Sequence, residues 1–216
     1  MKALLVVAKR PAPGQTKTRL TPPLTPEQAA QLYESFLRDT LALIRRVPDV
    51  YPILAYLPEG EEDYFRALAP GFDLRPQVGA DLGARLDHAL TQCLSDGFAH
   101  AVIMDSDSPT LPAEYLAQAF DALDSADAVL GPCDDGGYYL IGLKRPAPRL
   151  LRAVPLSAPT VMRDTLARAA EENMSVAQLP PWYDVDTVAE LARLRLELAA
   201  LAPDRAPYTR AVMSNW

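Results

Sequence analysis

Val102-Ile103-Met104-Asp105-Ser106-Asp107-Ser108-Pro109-Thr110-Leu111-Pro112 decides the reading of this chain. An apolar run stops at two carboxylates one residue apart and passes into a proline-containing loop. A continuous apolar run is what a strand buried on both faces of a parallel sheet needs. In open α/β sheets, ligands bind at the C-terminal edge of such strands. This strand would therefore deliver Asp105 and Asp107 to a binding edge. Asp-x-Asp in a loop can offer oxygens to one hard cation, and Mg²⁺ or Mn²⁺ with a polyphosphate is the usual pairing. The plainer alternative is that both acids cap the next helix or face water.

Outward from that strand, apolar runs and helical patterns alternate. Ala3–Ala8 reads as a first buried strand that ends in a Pro/Gly loop. Thr25-Pro26-Glu27-Gln28 reads as an N-cap with Pro at N1 and Gln at N3, opening a helix to about Arg46. Val50–Leu57 and Phe72–Arg75 are predicted strands, with a short helix Glu61–Leu68 between them. Asp81 is expected to cap a helix running to about Leu94, and the opening strand covers His100–Met104. A helix over Leu111–Leu123, with Pro112 in its first turn, precedes strands Ala128–Gly131 and Tyr138–Leu143. The second half continues with a helix Pro159–Asn173 entered through Ser157 or Thr160. A strand Ser175–Leu179 and a helix Val188–Leu201 follow. The tail Pro203–Trp216 shows no period and reads as an extended arm. This alternation predicts a three-layer α/β sandwich with a mostly parallel central sheet. The strand straight after Gly136-Gly137 suggests one antiparallel insertion.

Composition narrows the function. The 216 residues suit one domain with a large core. The 28 acidic and 21 basic residues give a net charge of −7, which argues against a nucleic-acid-binding surface but not against a local phosphate pocket. Cys93 and Cys133 lack a second Cys or His at metal-site spacing, so both read as reduced thiols of a cytoplasmic protein. Two histidines, His88 and His100, do not suit a histidine-rich zinc centre. No apolar run reaches the roughly 18 residues of a membrane span. Lys2–Ala8 resembles the start of a signal peptide, but it is short and runs into Lys9 and Arg10.

Five loops carry candidate chemistry. Lys9–Leu20 follows the first strand with four cations, and is neither a P-loop nor a dinucleotide fingerprint. In an extended segment Lys17 and Arg19 would share a side and could neutralise adjacent phosphates, unless the loop is merely solvated. In Gly79-Ala80-Asp81-Leu82-Gly83-Ala84-Arg85, Asp81 caps a helix. Arg85 either pairs locally or reaches back to phosphate, with the Gly79 backbone beside a base. Asp105 and Asp107 form the third loop. In Asp134-Asp135-Gly136-Gly137, the acids could hold an acceptor hydroxyl or a water on a metal. The paired glycines permit a hairpin turn or a close backbone approach to a ligand. In the fifth loop, Asp186 is a natural N-cap for the last long helix and could also offer a carboxylate to the cation held by Asp107. No Gly-x-Ser-x-Gly elbow occurs. Cys93 reads as core, Cys133 lies on the site-facing loop without a nearby His, and Trp182 and Trp216 read as packing residues.

Taken in order, Ala8-Lys9-x-Pro-x-Pro-Gly-x-x-Lys17-Thr18-Arg19-Leu20, Gln77-x-Gly79-x-Asp81-Leu82-Gly83-x-Arg85, Asp105-x-Asp107-x-Pro109-x-Leu111, Gly131-Pro132-x-x-Asp135-Gly136-Gly137-Tyr138-Tyr139 and Asp184-Val185-Asp186-Thr187 resemble a bacterial family. That family comprises glycosyltransferases of the A-type fold without characterised activity, associated with arsenosugar biosynthesis. The likeness runs from Lys2 to about Leu198. The chain is also similar to guanylyltransferases that activate phospholactate or phosphoenolpyruvate, and to molybdenum-cofactor nucleotidyltransferases. The resemblance implies a nucleotide-binding half over about 1–110 and an acceptor-binding half with a C-terminal arm over about 111–216. It implies that the loop from Ala8 and Lys9 to Lys17 and Arg19 wraps the nucleotide phosphates. It makes Asp107 the first ligand of a Mg²⁺ or Mn²⁺ ion, Asp186 the acid that closes the metal site, and Asp105 the completion of the Asp-x-Asp pattern. This sequence departs from the sugar-nucleotidyltransferase pattern after the first strand, where a Pro-rich loop replaces Gly-Gly-x-Gly.

The expected reaction is group transfer from a nucleotide to a small-molecule acceptor near Asp135–Tyr139. Glycosyl transfer from a nucleotide sugar, with Asp134 or Asp135 as base, leads. Nucleotidyl transfer from a nucleoside triphosphate to a small phosphorylated acceptor is the alternative. A non-catalytic nucleotide-binding protein is a third reading.

Overall fold

The computed structural model describes residues 1–156, 158–214 and 216. Seven strands form one sheet: β1 (Lys2–Lys9), β2 (Val50–Leu57), β3 (Asp73–Pro76), β4 (His100–Met104), β5 (Ala128–Pro132), β6 (Tyr138–Leu143) and β7 (Val176–Gln178). Their order is β3-β2-β1-β4-β6-β5-β7. β6 runs antiparallel to both β4 and β5, and the other pairings are parallel. The mostly parallel α/β sandwich and its antiparallel insertion are as expected.

Both faces of the sheet are covered, which is why β1 and β4 read as unbroken apolar runs. Leu4, Val6, Val102 and Met104 pack on one face against α1 (Pro26–Ile44), α2 (Glu62–Leu68) and α4 (Ala113–Ser125). Ala3, Leu5, Ala101 and Ile103 pack on the other against α3 (Leu82–Ser95), α5 (Pro148–Arg152) and α6 (Val161–Glu171). A third core lies off the sheet between α1 and α7 (Val188–Ala200). It includes Leu20 and Leu24 from the loop after β1, and Tyr183 and Val185 from the loop before α7. Two loops of opposite chain ends are thereby fixed on one apolar support.

β1 is the strand at which the order reverses. β2 and β3 lie to one side of it, and the chain then crosses back to place β4 on the other. Val6 lies beside Met104, so the loops after β1 and β4 leave the sheet side by side at the switch point, where ligands bind in such sheets.

Local signals explain most boundaries. Thr25 accepts from Gln28 N at 3.2 Å while the Gln28 side chain accepts from Thr25 N, a complete capping box. Asp81 accepts from Ala84 N at 2.8 Å and starts α3. Several expectations are corrected. Pro112 is the N-cap of α4 and stands outside its first turn. α5 was not foreseen, since five residues hold too little of a helical period to read. Of the two proposed entries to α6, Thr160 is the cap position, its hydroxyl donating to Asp164 Oδ2 at 2.6 Å and capping no backbone N–H, and Ser157 lies outside the described residues. The tail is not an extended arm, because Pro207–Met213 forms α8. Its start is held from outside by Asp39 of α1, which accepts from Tyr208 N at 3.1 Å, Thr209 N at 2.8 Å and Thr209 Oγ1 at 2.6 Å.

Candidate active site

A cavity of about 560 Å³ opens at the switch point. Asp105, Asp107, Asp135, Asp184 and Asp186 line it together with Arg19. Five carboxylates gathered from three loops at one strand edge need positive charge. Lys17 supplies part of it. Its Nζ lies 2.7 Å from Asp107 Oδ1 and 2.7 Å from Asp186 Oδ1, and its side chain is only 6% exposed. Burial opposes the charge on Lys17, yet Asp107 and Asp186 outweigh it and hold the ammonium above its ordinary value.

The backbone that presents Lys17 is unusual. Lys17 sits in the left-handed region at φ +49° and precedes a 3-10 turn over Thr18–Leu20. Such a conformation costs about 1 kcal/mol or more outside glycine and persists where the surroundings enforce it. The segment is therefore not extended, and the expectation that Lys17 and Arg19 share a side is corrected. Lys17 turns inward while Arg19 stays 76% exposed, although Arg19 Nη1 still lies 4.0 Å from Asp186 Oδ2. A smaller cavity of about 280 Å³ on this side is lined by Lys9, Thr16, Tyr33 and the same Lys17, Asp107 and Asp186. Tyr33 joins the loops, accepting from Lys9 N at 3.0 Å and meeting Ser106 Oγ at 3.0 Å. Ala8 takes part through its carbonyl, which accepts from the Gln77 side chain at 3.1 Å.

Asp186 was the expected N-cap of α7. The cap is Thr187, which accepts from Ala189 N at 3.3 Å and pairs reciprocally with Glu190. That correction leaves the Asp186 carboxylate free to face the cleft. The two acid loops are also bonded to each other. Val185 N donates to Asp107 O at 3.0 Å. Ser108 Oγ donates to Tyr183 O at 3.0 Å and lies 3.0 Å from Asp184 Oδ1. Thr110 Oγ1 lies 3.0 Å from Glu197 Oε2 on α7, which also accepts from the Tyr183 hydroxyl. Sequence reading missed Tyr33, Ser108 and Glu197. Ser108 alone carried a signal, as a small polar residue inside the Asp-Ser-Asp-Ser-Pro run.

Beneath the outer acids lies a second layer. Ligand atoms of Asp105, Cys133 and Asp184 fall within 4.8 Å of one another. Cys133 Sγ donates to Asp184 Oδ1 at 3.1 Å, and Asp105 Oδ1 accepts from Asp107 N at 3.0 Å. Burial, followed by the charges of Asp184 and Asp107, pushes Asp105 well above the usual carboxylate range. Burial and then Asp107 push Asp184 up as well. Burial and Asp184 raise the Cys133 thiol, so it stays neutral and is no nucleophile. The outer pair offers hard carboxylate oxygens already arranged around a cation, and that donor set fits Mg²⁺ or Mn²⁺. The thiol of the inner layer does not suit such ions.

The remaining candidates are spread around the cleft. Asp134 is bound to Arg193 at 2.6 Å on the surface, outside the cavity lining. Asp135 and Gly137 line the cavity, and Asp135 Oδ1 accepts from Gly137 N at 2.9 Å. Gly136 has φ +91°, and a Cβ there would lie 2.1 Å from Pro159 O, so its freedom serves a close approach to the segment before α6. Gly79, at φ +145°, similarly lies against the start of α3. Asp81 is spent on its cap, and Arg85 Nε donates back to Asp81 O at 3.0 Å. Leu82 and Leu86 are the residues of this region on the cavity wall.

Comparison with known proteins fits this geometry. The family described as "Uncharacterized protein conserved in bacteria (DUF2064)" matches residues 40–158. A 2-phospho-L-lactate guanylyltransferase from Methanothermobacter thermautotrophicus is 30% identical over 186 residues, covering 83% of this chain and 78% of the relative. A protein from Desulfovibrio desulfuricans G20, provisionally described as a nucleotide-diphospho-sugar transferase, superposes with a TM-score of 0.93 at 33% identity. That match covers 100% of this chain and 95% of the other. The 4-diphosphocytidyl-2C-methyl-D-erythritol synthase of Anaerococcus prevotii shares the fold, with a TM-score of 0.59 at 13% identity over 92% of this chain and 96% of that one. The chain belongs to this DUF2064 family of bacterial proteins and is an enzyme of transferase type, related to 2-phospho-L-lactate guanylyltransferase.

Proposed function

We propose that the protein transfers a nucleotidyl group from a nucleoside triphosphate to a small phosphorylated acceptor, with Mg²⁺ or Mn²⁺ present and pyrophosphate released. The observation that carries this reading is the buried Lys17 ammonium, 2.7 Å from both Asp107 and Asp186 beside the cleft. These acids form a holder for positive charge at the place where polyphosphates bind in such folds. The guanylyltransferase relative favours nucleotidyl over glycosyl transfer, reversing the order in which the sequence ranked them.

In this reading the first half, to about residue 110, binds the nucleotide and the second half binds the acceptor. Asp107 and Asp186 would hold the divalent ion, and Asp105 fixes their loop through its bond to Asp107 N. A bound ion would neutralise charge on the phosphates. Lys17 and Arg19 act on the same charge, Lys17 as a buried point charge and Arg19 as a mobile fork. An acceptor phosphate oxygen attacks the α-phosphorus, a new P–O bond forms, and the bond to the β-phosphate bridging oxygen breaks. Pyrophosphate takes that electron pair. A phosphomonoester with its second pKa near about 6 is mostly dianionic at neutral pH and has no proton to lose. No general base is needed, which suits an Asp134 bound to Arg193 and an Asp135 bound to Gly137 N. Sugar transfer from a nucleotide sugar is the second reading, favoured by the likeness to the Desulfovibrio protein.

Calorimetric titration with GTP, CTP, UTP, UDP-glucose and GDP-mannose, with and without Mn²⁺, separates the two. The expected result is metal-dependent binding of one triphosphate, lost in Asp107→Ala. Metal-dependent binding of a nucleotide sugar alone would overturn the nucleotidyl reading. Equally tight, metal-dependent binding by Asp107→Ala would overturn the ligand assignment.

A further inference from the structure

The inner layer of the cleft lacks the counter-charge that the outer layer has. Lys17 and Arg19 pair with the outer acids, and among the described residues no cation pairs with Asp105 or Asp184. Asp105 Oδ1 is taken by Asp107 N, whereas Asp105 Oδ2 is shut off from solvent and accepts no hydrogen bond. A carboxylate oxygen closed off without a donor is costly. The charge that acts on Asp105 most strongly is that of Asp184, itself an acceptor. The buried Cys133 thiol completes the group, with Sγ 3.1 Å from Asp184 Oδ1.

The spacing of these atoms suits one ion. Zinc holds sulfur at about 2.3 Å and carboxylate oxygen at about 2.0–2.2 Å, so its ligand atoms lie about 3–4 Å apart. The Cys133–Asp184 separation falls in that range, and ligand atoms of all three residues lie within 4.8 Å of one another. The three residues stand on separate segments that the fold fixes. Asp105 follows β4, Cys133 follows β5, and Asp184 precedes α7. Cys133 is anchored by its N–H, which donates to Gly137 O at 3.0 Å, and by a parallel bridge to Trp182. Asp105 and Asp184 also line the large cavity, which gives an ion a path inward and leaves one side of it open.

We propose that Asp105, Cys133 and Asp184 form a second cation site, separate from the Asp107–Asp186 pair, that takes a thiophilic divalent ion of the zinc class. Sulfur ligation selects such ions over Mg²⁺ and Mn²⁺, which prefer all-oxygen sites. On binding, the metal–sulfur bond replaces the S–H bond, and the thiol proton leaves to water. The ion is no part of the transfer step, which draws on the outer acids.

Co²⁺ is the probe, because a cobalt–thiolate bond gives a near-ultraviolet charge-transfer band that carboxylate ligation lacks. The reduced full chain is titrated with Co²⁺ in excess Mg²⁺. The band is expected to saturate at one Co²⁺ per chain and to disappear when Zn²⁺ is added. Cys133→Ser should abolish it and weaken Zn²⁺ binding at least about 10-fold in calorimetric titration. Asp184→Asn, which keeps the thiol, should weaken Co²⁺ binding by a similar factor. Cys93→Ala and Asp107→Ala should both keep the band. Its absence from the unaltered chain, its persistence in Cys133→Ser, or its loss in Cys93→Ala or Asp107→Ala overturns the proposal.

Discussion

Asp105-Ser106-Asp107 and Asp184-Val185-Asp186 are the same pattern in sequence, and each splits between two environments. Asp105 and Asp184 form the inner layer, half-buried beside the buried Cys133 thiol. Asp107 and Asp186 form the outer layer, with side chains 32% and 44% exposed and a lysine ammonium between them. The two loops run side by side, tied by Val185 N and Ser108, so their acids fall into register. The chain bends at Ser106 and Asp107, where Asp107 N donates back to Asp105 Oδ1, so the two acids of that loop meet different neighbours. That turn separates an acid that burial drives toward its neutral form from one that lies against the Lys17 ammonium. Depth, rather than motif, assigns the roles.

Substitutions can break this division. Lys17→Met removes the cation shared by the outer acids. We expect transfer to fall about 100-fold, a loss typical of one preorganised charge partner in a water-poor site. Mn²⁺ should then bind more tightly in the absence of nucleotide, because no ammonium competes for Asp107 and Asp186. Unchanged metal affinity in a calorimetric titration would show that Lys17 does not occupy the cation position. Asp105→Asn tests the inner layer. Burial already favours the neutral acid, so asparagine approximates the native state. Transfer should stay within a few-fold, with stability changed by about 1 kcal/mol or less in urea melts. Loss of metal dependence in Asp105→Asn would place this acid among the metal ligands and dissolve the inner–outer distinction.

The smallest effect lies far from the cleft. Burial pushes Asp39 above the ordinary carboxylate value in spite of its three hydrogen bonds from the start of α8. The folded chain therefore binds this proton more tightly than the unfolded chain. The resulting stability is complete below about pH 4 and is lost as pH rises through the folded value. Asp39→Asn cannot titrate and should flatten that part of the curve in urea melts above about pH 4. An unchanged slope would assign the pH dependence to other acids.

Much of the fold was legible because its signals are local or periodic. Val50–Leu57, His100–Met104 and Tyr138–Leu143 were bounded as the structure has them. The Thr25 capping box and the Asp81 cap were readable as side chains acting within four residues. What the sequence hid depends on contacts across the chain. α8 is seven residues long, and its start is held by Asp39, 170 positions from Thr209. The gathering of Asp107, Asp186 and the basic loop was expected from the family resemblance, but the inward turn of Lys17 was not. It depends on a left-handed residue that no glycine marks. Asp134 and Asp135 are adjacent and chemically alike, and only the fold shows that Arg193 takes the first and the cavity the second.

The central claim is that the outer acids serve nucleotidyl transfer, and label transfer tests it most directly. The chain is incubated with Mn²⁺, small phosphomonoesters including 2-phospholactate, a nucleotide sugar, and nucleoside triphosphates labelled separately at the α-phosphate and the γ-phosphate. The account predicts α-label in the product, γ-label in pyrophosphate and neither without the metal. Retention of both labels in intact triphosphate, with a sugar passing from a nucleotide sugar to an acceptor instead, would contradict it.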